Sequence, residues 1–209
     1  MGKQTFKERV AQIANEQAIH YQNNYVKYEY LLCSEAFINQ DYYIISAKED
    51  NYCHLIGVNT DLSPKAFFDK CLENSLTESD FDFLKSGRDE KEVKGSVRRK
   101  IKALPFFTSM MGKDLIVQEN FTKNAISCIF ASTDCNITIG FANPDRSRPM
   151  TLLWNDELNY NKSGFVDLIL RKESGNEDFT DIIYGDVEAL KKFHTKIKHL
   201  ISPELSNNI

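Results

Sequence analysis

The stretch AISCIFASTDCNITIGFA, residues 125–142, decides the fold. Apolar and polar residues alternate on both sides of STDCN, a run of turn formers at 132–136, so it reads as two strands joined by a hairpin. The same period of two recurs around it, in DLIVQ (114–118), TLLW (151–154), FVDLILR (165–171) and FTDIIY (179–184), with the turn residues ESGNED (173–178) before the last. That succession predicts an antiparallel meander.

Beyond the strands, Asp186 caps a closing helix with Val187, Leu190, Phe193, Ile197 and Leu200 facing inward. Its Lys191, Lys192, Lys196 and Lys198 favour the C-terminal half, as the helix dipole prefers. Upstream, the spacing of Phe6, Val10, Ile13, Ala14 and Gln17 predicts a helix over 4–20. YVKYEYLLC (25–33) and DYYIISAK (41–48) flank a turn near Asn39-Gln40-Asp41 and read as a strand hairpin, and YCHLIGV (52–58) as a third extended piece ending at Gly57. Ser63-Pro64 starts a helix whose Phe67, Phe68, Cys71 and Leu72 make an apolar face. TESD at 77–80 resembles a capping box and predicts a short helix stopping near Gly87. Val93, Val97, Ile101 and Leu104 predict a further helix over 93–104, with Pro105 too near for it to run much further.

The fold class is therefore α+β: helices mainly in the first half, an antiparallel sheet of about four to six strands in the second, and a closing C-terminal helix. Its 209 residues, 42% hydrophobic, suffice for one core, so a single domain is expected over 1–209. Within it lie an N-terminal helix (1–24), a core (25–201) and a flexible tail (202–209).

A net charge of −4 excludes attraction of nucleic acid by the surface as a whole, so a phosphate-binding surface has to be a local patch. Five cysteines, an odd number without a CxxC pair, read as reduced, buried thiols of a cytoplasmic protein. The charged opening MGKQTFKERVAQIANEQ has no apolar secretion region, position 6 is Phe where a myristoylation pattern needs Ser or Thr, and no apolar run is long enough to span a bilayer.

Two constellations carry possible chemistry. His54 is one of four histidines, at the end of a segment that Gly57 then bends. A near-neutral imidazole is a natural proton carrier, and its plain alternative is a half-buried ring satisfying a backbone group. Residues 85–102, KSGRDEKEVKGSVRRKIK, hold eight Lys or Arg against three carboxylates, a net of +5 in an acidic chain. Lys94, Arg98 and Lys102 are spaced four apart as a positive stripe, with Arg99 beside it. A helix starting at Ser96 would add its free amides and hydroxyl to an anion site, and arginine forks suit phosphate. Such a run is equally the solvated face of an amphipathic helix. Ser132, Thr133 and Asn136 suit phosphate or sugar hydroxyls, and equally a hairpin turn.

Other chemistries lack their signatures. His194 and His199 are off one helical face, no carboxylate cluster has metal-ligand spacing, and neither GxxxxGK[ST], GxGxxG nor GxSxG occurs. An enzyme built from these residues is expected to work with no metal and no cofactor. Histidine, arginine, lysine and hydroxyls can cleave RNA by driving the 2′-hydroxyl onto the neighbouring phosphate, with His54 moving the proton and the cations stabilising the phosphorane-like state.

YCHLIGV, SPKAFFDKCL, SVRRKIKALPFF, CIFASTDCNITIGF and TLLW together resemble the phage-associated barnase–EndoU–colicin–RelE-like (BECR-fold) nucleases, in the variety where an aromatic-x-His-Leu-x-Gly signature precedes a capped helix with a Phe pair. The resemblance covers most of the chain and makes residues 25–201 the nuclease-type core. It implies an α+β fold and a metal-independent endoribonuclease or toxin from phages and mobile elements. By position it carries over His54, Gly57, Ser96, Arg98, Arg99, Ser132 and Thr133. The family's DGN turn has Cys135 in place of its glycine here, which weakens a phosphate grip by bare backbone.

The expected catalytic set is thus His54, Ser96, Arg98 and Arg99, with Lys94, Lys102, Ser132, Thr133 and Asn136 binding substrate. The expected partner is RNA or another phosphate-bearing ligand on the 94–102 helix, with a host protein or antitoxin as a further candidate and no membrane. The competing expectation is a non-catalytic binding protein of phage or mobile-element origin, either an inhibitor of a host defence system such as an anti-CRISPR or a nucleic-acid-binding accessory protein. A plain structural domain is the third.

Overall fold

A computed structural model describes residues 4–207. Residues 1–3 of the expected N-terminal helix and 208–209 of the expected tail lie outside it.

The chain runs α1 (Phe6–Tyr21), a π-helical turn (Gln22–Val26), β1 (Tyr28–Cys33), β2 (Tyr42–Ile45), α2 (Asn51–Ile56), α3 (Pro64–Leu72) and α4 (Glu90–Phe107). There follow β3 (Ile116–Lys123), β4 (Ile126–Thr133), β5 (Ile137–Ala142), β6 (Arg148–Trp154), β7 (Gly164–Phe165), β8 (Leu168–Glu173), β9 (Asp181–Tyr184), α5 (Val187–Ile197) and α6 (Pro203–Asn207). The class is α+β, as the sequence predicts, with antiparallel sheets.

The strands form two sheets, however, ordered β2-β1-β8-β9 and β6-β5-β4-β3-β7. β3 to β6 make the expected meander, but β8 and β9 leave it to join the β1–β2 hairpin. The cause lies in β1 and β8, which are apolar on both faces. Tyr30, Leu32 and Ile169 enter the main core, while Leu31, Cys33, Leu168 and Leu170 enter a second core under α5. Such strands need cover on both sides, which the rim of a meander does not give. A parallel bridge between Ile45 and Ser147 joins the sheets at the β6 end.

Buried Glu119 on β3 fixes the β1–β2 connection. Its carboxylate accepts hydrogen bonds from the amides of Ile38 (2.8 Å) and Asn39 (3.0 Å) and from the Tyr43 hydroxyl (2.6 Å).

Four local expectations are corrected. YCHLIGV is helical: Tyr52, Leu55 and Ile56 are buried at the i, i+3, i+4 spacing of a helix, and Gly57 (φ +82°) ends it. TESD makes only half of a capping box, the Thr77 amide and hydroxyl both donating to the Asp80 carboxylate, and no helix follows. There Phe81 and Phe83 are both buried at strand spacing, and Asp82 bridges Asn59. α4 covers the expected 93–104 and runs only two residues past Pro105, but it begins at Glu90, so the conditional start at Ser96 is not met; Glu90 and Glu92 lie in the first turn where the dipole favours them. Residues 203–207 form α6 in place of a flexible tail, held by a hydrogen bond between His194 and Ser206 (2.9 Å).

The α3 start matches its reading, with the Ser63 hydroxyl accepting from the Ala66 amide at 3.2 Å. Ser63→Ala is expected to cost about 1 kcal/mol, read as a lower denaturant midpoint at unchanged m-value. The cysteines are free, but Cys135 is exposed, unlike the expected buried set.

Candidate functional site

One face of α4 is fixed by burial: Val93, Val97, Ile101 and Leu104 enter the core. At 100° per residue, Ser96 and Lys100 then fall on one flank of the helix and Lys94 and Arg98 on the other. The two flanks have different surroundings. Lys94 pairs with Glu90 (2.8 Å) and lies over Phe83, while the Arg98 guanidinium sits 5.0 Å from the ring of Phe6 on α1. Ser96, Arg99 and Lys100 face a cleft of about 650 Å3 along the edge strand β6. Arg88 extends their wall, Thr151, Leu152 and Trp154 form the floor, and the β3–β4 turn from Lys123 closes the far side. The cations outnumber the only lining carboxylate, Glu157, which is already paired with Lys123. Lys102 lies 3.8 Å over the Trp154 ring at one end of the cleft.

Lys100 joins this cleft to His54. Its Nζ donates to the His54 carbonyl at 2.8 Å, at the exposed C-terminal end of α2, where a cation is favoured. Its stem crosses Gly57 so closely that a Cβ there would stand 2.9 Å from the lysine Cδ. Burial, then the positive charges of Lys85 and Arg88, push the Lys100 ammonium down to about 8, with Cys53 opposing them. Lys85 is lowered too, first by burial and then by Arg88. His54 is exposed as a residue, but its ring reaches the Met150 backbone on β6. Partial burial, then Lys100 and Lys85, hold it below the usual histidine value, and the Met150 hydrogen bond opposes this. The site therefore holds an imidazole kept below the usual histidine value and a lysine lowered to about 8, joined through the His54 carbonyl, two groups suited to acid–base chemistry.

Ser132, Thr133 and Asn136 sit elsewhere. They end β4 and begin its turn to β5, and β5 separates β4 from β6. The Thr133 hydroxyl donates to the Ile137 carbonyl (2.6 Å) and accepts from the Cys135 amide, and the Asn136 side chain donates to the Asp134 carbonyl. The turn is spent on its own geometry, with Cys135 taking φ +69° where a glycine would be at ease. Ser132 is buried. The structure thus places Ser96 and Arg99 in one cleft, sets Lys102 over its Trp154 and ties the His54 carbonyl to it through Lys100, leaves Lys94 and Arg98 on the α1 side, and keeps 132–136 in a hairpin.

Sequence reasoning missed Lys100, Arg88 and Trp154 as lining residues. For Lys100 a signal existed in its place four residues after Ser96, but the flank of α4 that faces β6 is a tertiary fact. Among the described residues no group of three or more His, Cys, Asp or Glu is placed to hold a metal ion, and no helix is long and apolar enough to cross a membrane.

Helices packed on an antiparallel meander, with a cationic cleft at its edge, define a small α+β protein. The chain belongs to the phage-Barnase-EndoU-ColicinE5/D-RelE like nuclease4 family (PBECR4), which matches residues 15–198. No curated protein and no solved structure matched it.

Proposed function

We propose that the protein is an endoribonuclease that needs no metal and acts as a toxin in conflicts between phages or mobile elements and their hosts. The observation that carries this is the lowered Lys100 ammonium seated on the His54 carbonyl beside the Arg99 wall, with the His54 imidazole itself held below the usual histidine value. Neutral His54 takes the proton of the RNA 2′-hydroxyl as its oxygen attacks the adjacent phosphorus. Lys100 and Arg99 offset the charge that gathers on the phosphate oxygens. Lys100 then gives its proton to the departing 5′-oxygen, leaving a 2′,3′-cyclic phosphate and a 5′-hydroxyl. DNA lacks the attacking hydroxyl and stays intact. Within the family, Tyr52-x-His54-Leu55-x-Gly57 supports assignment to the aromatic-x-His-Leu-x-Gly variety.

The test is incubation of purified protein with mixed RNAs, with and without EDTA, beside His54→Ala. Expected are cyclic-phosphate ends, undiminished cutting in EDTA, and a loss of about 10²- to 10⁴-fold in the variant. The kcat/KM profile rises through a value below 6.5 as His54 loses its proton and falls again near pH 8 as Lys100 does. Cutting that stops in EDTA, or a variant as fast as the parent, would refute the proposal.

The acidic bulk charge favours a second reading, a binding protein that inhibits a host defence system, with its basic helix on a protein partner. It predicts no RNA turnover, and binding that weakens with salt and on Arg98→Ala with Arg99→Ala.

A further inference from the structure

A second cavity, of about 570 Å3, lies at the opposite end of α2 from Gly57. It opens between Glu29 on β1, residues 46–50, and Arg146 and Arg148 at the start of β6. Glu29 is only 4% exposed. Its Oε1 accepts from the Ser46 hydroxyl (2.6 Å) and from Arg146 Nη1, and its Oε2 lies 3.4 Å from the buried Lys172 ammonium. Holding a carboxylate inside the protein is costly unless it is paired. The pairing here pins one nitrogen of Arg146 while 61% of that side chain stays exposed. The remaining donors of the fork are thus set in place and open to solvent. Arg148, two residues on and exposed, lines the same cavity.

The location relates this cavity to the cleft. Arg148 is two residues, about 7 Å, from Met150, where the His54 ring meets β6. Trp154 and Lys102 stand about 13 Å beyond Met150 in the other direction along the strand. Arg146 and Arg148 therefore lie on one side of Met150 and Lys102 on the other, along one extended edge strand.

We propose that the Arg146–Arg148 cavity is a second phosphate-binding subsite. It holds the RNA strand on one side of the cut while Arg99 and Lys102 hold the other, so that cleavage falls within a chain and not at its end. This rests on the ribonuclease reading and adds substrate polarity and length to it.

The test compares kcat/KM for a dinucleotide, which cannot span both sites, with that for an octanucleotide, over a range of salt. In the parent protein the octanucleotide is expected to be cut at least about tenfold faster, and Arg148→Ala to bring the ratio of the two rates toward one. Each lost phosphate contact also lowers the log–log salt slope of octanucleotide binding by about 0.7. Arg148→Ala is the decisive variant, because Arg146→Ala also leaves Glu29 short of a partner. If the parent cuts RNA and Arg148→Ala keeps both the ratio and the slope, the subsite is overturned and the nuclease reading survives. If the parent cuts no RNA at all, both fall.

Discussion

Lys100→Met is expected to slow RNA cleavage by about 10²- to 10³-fold, the usual cost of removing one preorganised charge from a transition state, while the protein stays folded. Methionine keeps an unbranched stem over Gly57 and loses only the ammonium, whose acceptor, the His54 carbonyl, sits at an exposed helix end. Buried, and crowded by Lys85 and Arg88, that ammonium is held at about 8 against 10.5 for an unperturbed lysine. Between those values the unfolded chain holds more protons on this lysine than the folded one, so the contribution of Lys100 to stability rises as pH climbs from about 8 to 10.5, while the buried Cys33 and Cys71 thiols, raised by burial, contribute in the opposite sense. Lys100→Met lacks that rise, which urea titrations at several pH values measure. Lys100→Arg separates charge from proton transfer: it keeps a cation, and the falling limb of the rate profile near pH 8 disappears. Lys100→Met at the parental rate would remove Lys100 from the mechanism.

Glu119→Ala is expected to destabilise the fold by about 3 kcal/mol or more. Hydrogen bonds to a charged group contribute about 1.5–3 kcal/mol each, and leaving their buried partners unsatisfied adds to the loss. The substitution strips the acceptor from the Ile38 and Asn39 amides and from the Tyr43 hydroxyl together. Tyr43→Phe removes one of these bonds and should cost markedly less. Denaturant midpoints rank the two, and equal losses would mean that the loop amides find other acceptors. Glu119 is remote from the cleft, so cleavage by the fraction still folded is expected to match the parent.

How far the sequence was legible depended on whether a pattern was local. The alternation in 125–142 identified β4 and β5, and Ser63-Pro64 identified the start of α3, because each is settled by neighbours in the chain. The sheet that β8 joins was not legible. FVDLILR looks alike as a meander strand or as a strand buried on both faces, and only Leu31 and Cys33 across the pair decide between them. YCHLIGV misled because Tyr and Ile favour strands, whereas its burial follows a helix. In the candidate site, His54 and Arg99 stood out by residue type and charge. Lys100 was hidden in a run of like residues, since its distinction comes from burial against Gly57 and the His54 carbonyl, both far from it in sequence.

The contact between Gly57 and Lys100 limits how this protein can be improved. Replacing a glycine with alanine is a common route to a sturdier chain, because it narrows the unfolded ensemble. At position 57 a methyl group meets a left-handed backbone and a lysine stem at once, so the helix end or the lysine has to yield. That route to a sturdier chain is therefore closed at position 57, where the bare backbone is what lets the lysine lie across the helix end.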